Sequence, residues 1–242
     1  MKDDGKREKL NRIADDMSNQ GLLFSELFQM LAETNSPSLG LSDKVFANFA
    51  SLYDRIDSGN YSQVEKGKLL EDLIAILFEE GYPTMLDIRK NMLTSSNEID
   101  ILVNWSKSAT QSGIQLLEDE MGSYFLVECK NYNNKVGVTY LGKFFSLMCY
   151  TDTKLGVFIA WNGITGSDNS WNDAVGLVKK LALGEKKYIL VLTKADLKKI
   201  RQKETNIFTL LEHKYLALKT DISYKSLIKK HEIEIDNLSS PE

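Results

Sequence analysis

The sequence predicts an α/β protein with a mixed central sheet, helices on both faces and a helical N-terminal segment. Two observations lead there. Short apolar strands at 98–105 and 124–130 are followed by helix, strand, helix, strand, an order that builds mixed sheets covered on both sides. Those same two strands, NEIDILV (Asn97–Val103) and FLVECKNY (Phe125–Tyr132), carry charge where a buried strand carries only apolar residues.

Residues 1–60 read as a helical segment. Leu22, Leu23, Leu27, Phe28 and Leu31 recur at helical spacing, as do Val45, Phe46, Phe49 and Leu52. The turn-rich TNSPSLGLSD lies between them, with Ser42 or Asp43 as N-cap, and DSGNYS marks a boundary near 60. The main domain, 61–204, opens with a helix from Gln63 to Glu80 that stops at Gly81 and Pro83. A weak strand at Met85–Met92 follows, then Glu98–Trp105, a loop SKSATQSG, an additional strand at Ile114–Leu117, and Tyr124–Lys130. A helix at Tyr140–Tyr150, an apolar strand at Gly156–Trp161, a helix at Asn172–Leu183, a strand at Tyr188–Thr193 and a helix at Asp196–Arg201 complete it. Residues 205–242 read as one or two amphipathic helices and a polar tail.

The composition is that of a globular protein, 43% apolar and 26% charged, with no apolar run long enough to span a bilayer and no signal-peptide core. Cys129 and Cys149 form no metal or disulfide pattern, so a reducing, cytoplasmic setting is expected. The two histidines, His213 and His231, both lie in the last thirty residues, which leaves the main domain without histidine chemistry. A net charge of −4 argues against a protein that coats nucleic acid. Between Lys179 and Lys203, however, nine basic residues stand against Glu185 and Asp196, a local excess of seven positive charges (9 − 2). They would either track a phosphate backbone, through Lys198 and Lys199 in particular, or form solvated faces of two helices.

In a strand, residues i and i+2 share a face, so Glu128 and Lys130 project together. Asp100 interrupts the other apolar run. Buried charges cost several kcal/mol each unless paired or metal-bound. Asp100 and Glu128 are hard oxygen ligands suited to Mg²⁺, with the backbone carbonyl of Cys129 close by. Lys130 would orient a water and stabilise charge developing on a phosphate. The plainer alternatives are a cross-strand ion pair for Glu128 and Lys130, a structural acid at Asp100, and a small core side chain at Cys129.

These segments resemble the PD-(D/E)XK nuclease superfamily, and within it the Mrr-like restriction endonucleases. The matching pieces are KGKLLEDLIAILFEEGY, NEIDILV, FLVECKNY, KVGVTYLGKF, LGVFIAWNGITG and YILVLTKADL, about 135 residues from Gln63 to Leu197. The resemblance implies a restriction-endonuclease-like α/β/α sandwich and metal-dependent cleavage of nucleic acid, DNA more than RNA, in prokaryotic defence. It implies Asp100 and Glu128 as metal ligands, Mg²⁺ as cofactor with Mn²⁺ able to substitute, Lys130 as catalytic lysine, and Glu71 as the helix acid beside the metal, the plainer alternative for Glu71 being a solvated acid on a helix that also carries Glu65, Asp72, Glu79 and Glu80. Lys143 would contact phosphate from the following helix or remain solvated. The first motif departs from the family pattern: no Pro precedes Asp100, and Glu98 stands at i−2, as a second acid or an exposed residue where the strand begins. A homodimer or a defence-system partner protein fits enzymes that cut two strands. Two alternatives stay open: a catalytically silent nucleic-acid-binding or assembly subunit with this fold, and an RNA-directed effector nuclease.

Overall fold

A computed structural model describes residues 4–23, 26, 40–93, 98–111, 122–167 and 171–220. The expected strand at Ile114–Leu117, part of the first apolar stripe (Leu27, Phe28, Leu31) and the polar tail lie outside these residues.

Helix α1 spans Asp4–Asn19, and α2 spans Asp43–Ser58. Helix α3, Gln63–Ala75, starts on a capping box in which Ser62 and Glu65 satisfy each other's backbone N–H groups. It continues as a π-helical turn, Ile76–Glu80, closed by Gly81 N–H donating to the Ile76 carbonyl. The sheet then follows: β1 Leu86–Leu93, β2 Glu98–Trp105, β3 Tyr124–Lys130, β4 Leu155–Ala160 and β5 Tyr188–Leu192, ordered β1-β2-β3-β4-β5. The β1–β2 and β2–β3 pairs are antiparallel; the β3–β4 and β4–β5 pairs are parallel. Between them lie α4 (Lys107–Gln111), α5 (Val138–Tyr150) and α6 (Asp173–Lys180), the last prolonged by a π turn at Leu181–Glu185. Helices α7 (Lys194–Arg201) and α8 (Ile207–Thr220) follow β5.

The mixed sheet and the strand limits follow the expected pattern. One local difference is α4, which forms within the stretch read as loop. Ser106 starts it by accepting the Ala109 N–H, the local capping that favours a helical turn.

Each face of the sheet is covered by helices. On one face, Ile101, Val103, Phe125, Val127, Val157 and Leu190 pack with α2, α3, α7 and α8. On the other, Leu126, Phe158 and Ile189 pack with α5 and α6. Fully burying one such side chain is worth about 1.5–3 kcal/mol, so the two layers fix the strand ends firmly. Gly156 is required for the second layer, since a Cβ there would meet Phe144 at 2.5 Å. Helix α8 is part of the first layer: Phe208 stacks on Trp105 and Tyr215 is 0% exposed. Helix α2 belongs there too, through Phe49, Tyr53 and Ile56.

Candidate active site

The site forms where β2 and β3 separate. Their pairing ends at Ile101↔Val127, and Asp100 and Glu128 come next on either strand. There the Asp100 carboxylate replaces a backbone acceptor, and Cys129 N–H donates to Asp100 Oδ2 at 2.8 Å. Side-chain alternation then sends the Cys129 thiol into the core, where it is 3% exposed, and leaves Glu128 and Lys130 on the opposite face.

Lys130 Nζ lies 2.5 Å from Glu128 Oε1 and 3.7 Å from Asp100 Oδ2. All three side chains are under 20% exposed. Burial, then the Asp100 charge, pushes the Glu128 carboxyl up to about 7 against the opposing pull of Lys130, and the Glu71 charge adds to the rise. For Lys130, burial works toward losing the proton, but Glu128 and Asp100 outweigh it and hold the ammonium above its usual range. Burial, then Asp100, Glu71 and Glu128, pushes the Cys129 thiol well up, which rules it out as a ready nucleophile.

Glu71 reaches the site from α3, half-buried, on the stripe that carries Ala75 and Phe78. It lines a cavity of about 480 Å³ with Asp100, Cys129, Lys130 and Tyr132. The N-terminal turn of α3 is latched to the loop after β3. Gln63 Nε2 donates to the Asn131 carbonyl at 2.6 Å, and buried Asn131 donates to the Lys66 carbonyl at 3.2 Å. Lys66 Nζ donates to Asn133 Oδ1 at 2.9 Å. The WNGITG loop, Trp161–Gly166, supports the same turn: Asn162 Nδ2 donates to the Tyr132 carbonyl at 2.6 Å, and Val136 bridges Ile164.

The structure therefore brings Asp100, Glu128, Lys130 and Glu71 to one end of the sheet. Lys143 is exposed on α5. Lys198 is exposed and Lys199 half-buried on α7, a helix that starts beside the same sheet end, since Lys194 N–H donates to the Trp161 carbonyl and Trp161 N–H to the Lys130 carbonyl. The basic stretch is less available than its sequence suggests. Lys194 pairs with Asp57, Arg201 makes two bonds to Asp54, and Lys203 faces Asp43, all acids of α2. Glu98 begins β2, and its side chain lies outside the described part. Sequence reasoning missed Lys68, Tyr132 and Gln63. All three line the cavity, and Lys68 is exposed there without an ion pair among the described residues. Helical spacing from Glu71 (i−3) is the signal that could have found Lys68.

A five-stranded mixed sheet between two helical layers, with charged residues where β2 and β3 part, defines a restriction-endonuclease-like domain. The family model of the Mrr-type restriction endonuclease catalytic domain matches residues 64–200, more than half of the 242-residue chain. The chain belongs to that family, within the PD-(D/E)XK superfamily. No curated protein matches the sequence. The family is one of nucleases, which act on nucleic acid and generally use a divalent metal. No helix among the described residues is long and apolar enough to cross a membrane.

The donor set can be tested against such a metal. Among the described residues, no group of three or more His, Cys, Asp and Glu is assembled around one point. Two carboxylates converge on Lys130, and every donor on offer is a hard oxygen. That suits Mg²⁺, which takes one or two carboxylates and completes its shell with water and substrate phosphate, and does not suit a preformed zinc cage.

Proposed function

We propose that this protein is a divalent-metal-dependent endonuclease that hydrolyses phosphodiester bonds of DNA, in a prokaryotic defence setting. The observation that carries the reading is the convergence of Asp100 and Glu128 on Lys130 at the point where two strands part. Two acids and a lysine brought together with little solvent access are costly to hold for stability alone. The raised Glu128 carboxyl registers that cost and is relieved by an added cation.

In this reading Asp100, Glu128 and the Cys129 carbonyl hold Mg²⁺, for which Mn²⁺ substitutes, and Glu71 stands beside them. When bound, the metal supplies neutralisation of the phosphate and acidification of a water. Lys130 orients that water and stabilises charge on the phosphate oxygens. The water oxygen adds to phosphorus, one P–O bond to a sugar oxygen breaks, and the proton given up by water passes to the leaving oxygen. Lys68, Lys143, Lys198 and Lys199 supply backbone contacts.

The test is incubation of purified protein with plasmid DNA, single-stranded DNA and RNA in Mg²⁺, Mn²⁺ or EDTA. Cleavage of DNA that requires the metal and disappears in Glu128→Gln is the expected result. Absence of cleavage on all three substrates by folded protein would overturn the reading.

A further inference from the structure

The edge of the catalytic cavity is aromatic and apolar on two sides. Tyr132, two residues past Lys130, lines the cavity and packs edge-to-face on Tyr140, with ring centroids 5.3 Å apart. Tyr140 is 39% exposed and Val138, in the same first turn of α5, is 44% exposed. From α3, Val64 lines the same cavity and is 82% exposed. Lys143 follows Tyr140 by three residues and so shares its side of α5, placing a cation next to the exposed ring.

A site that gripped only intact duplex would present cations and polar donors at its mouth, because base faces inside a duplex are already stacked. An ordered, half-exposed aromatic pair with a neighbouring lysine matches the pattern that holds unpaired nucleotides, where rings stack on bases and cations follow the backbone. We propose that Tyr132 and Tyr140 form a stacking platform for an unpaired base next to the cleavage site, making single-stranded or locally unwound nucleic acid the preferred substrate. Tyr140 supplies the contact face, Tyr132 positions it, and Val64 closes the opposite side. This rests on the nuclease reading above for the identity of the cavity.

The test is equilibrium binding by the full-length Lys130→Ala protein, which spares the probe. Fluorescence anisotropy is read on a single-stranded oligonucleotide and on a blunt duplex of the same sequence, and a 2-aminopurine version of the single strand reports stacking. Tyr140→Ala is expected to weaken single-strand binding on the order of tenfold, within the range for loss of one base–aromatic stack, with duplex binding changed less than twofold. It should also abolish 2-aminopurine quenching. Tyr140→Phe should retain both signals, and Tyr140→Leu should behave as Tyr140→Ala. Equal loss on both substrates, no change on either, or full rescue by Leu would overturn the platform. Failure of the nuclease reading has a separate signature: no metal-dependent cleavage by wild type, with these affinities unaffected.

Discussion

The carboxylate of Asp100 accepts the backbone N–H of Cys129 at 2.8 Å, so one side chain both bridges the gap between β2 and β3 and presents charge to Lys130. This double use ties the fold to the chemistry. The strands can separate only if the freed N–H finds another acceptor, and the acceptor is the candidate metal ligand.

That relationship separates two substitutions at one position. Asp100→Asn keeps a side-chain oxygen for the Cys129 N–H and should leave stability nearly unchanged while weakening divalent-metal binding. Asp100→Ala strands a buried donor and should cost about 1–3 kcal/mol. Urea unfolding measures the difference in stability, and calorimetric titration with Mg²⁺ the difference in metal binding. Equal stability of the two variants would show that the Cys129 bond contributes nothing.

The Glu128 carboxyl gives the metal-free protein a pH signature. Its folded pKa is raised from 4.5 to about 7, by burial first and the Asp100 charge next. Between these values the folded state binds more protons than the unfolded state, so stability should fall as pH rises from 4.5 through 7. Lys130, held above its normal range, is protonated in both states throughout that window and adds no slope there. Thermal melts in EDTA from pH 4.5 to 8 should show the fall in wild type and its loss in Glu128→Gln. Saturating Mg²⁺ should flatten the wild-type curve by favouring the ionised carboxylate.

Much of this was legible in the sequence because it is local. The limits of β2 and β3 follow from apolar runs, and the shared face of Glu128 and Lys130 from the two-residue period of a strand. Other features depend on pairings between distant residues. The neutralisation of α7 joins Arg201 to Asp54, 147 positions away, and no periodicity encodes it. The latch of Gln63 and Lys66 onto Asn131 and Asn133 depends on how α3 docks, as does the entry of Lys68 into the cavity. The amphipathic reading of 205–242 implies a buried face, but not that Tyr215, 0% exposed, anchors it edge-to-face on Tyr188, because that contact depends on where the helix docks.

The ion pairs between α7 and α2 divide the basic residues into two groups with different effects. Reversing Arg201 to Glu should loosen the packing of α7 on α2 and lower the melting temperature, since it places like charges against Asp54. Reversing Lys68 or Lys198, both exposed, should instead leave the melting temperature within a degree or two. It should lower DNA affinity across sequences and reduce the slope of log affinity against log salt by about one for each phosphate no longer neutralised. A salt slope identical to wild type in the Lys68→Glu protein would remove that residue from the interface.

Lys130 offers the sharpest division between an enzyme and a binding subunit. Its ammonium lies 2.5 Å from Glu128 and 3.7 Å from Asp100, so in the resting protein it stands in for missing positive charge. In the proposed reaction a bound phosphate and metal would relieve that role and leave the ammonium to act on the phosphate. Its interaction would then be strongest in the transition state, where charge builds on the phosphate oxygens. Lys130→Ala should therefore lower the cleavage rate by roughly two or more orders of magnitude, the scale of losing one preorganised charge-stabilising group. DNA affinity should change far less, since the other cations around the cavity still hold the backbone. Lys130→Arg should rescue poorly, because a planar guanidinium fork does not replace a compact ammonium placed between two carboxylates. In EDTA the same Ala substitution leaves Asp100 and Glu128 facing each other without a cation, so its melting temperature should fall below wild type and recover when Mg²⁺ is added. Single-turnover cleavage, anisotropy binding and thermal melts on the one variant separate these effects. A variant that loses affinity and rate by the same factor would make Lys130 a plain phosphate ligand, and one that cleaves at the wild-type rate would remove it from the chemistry.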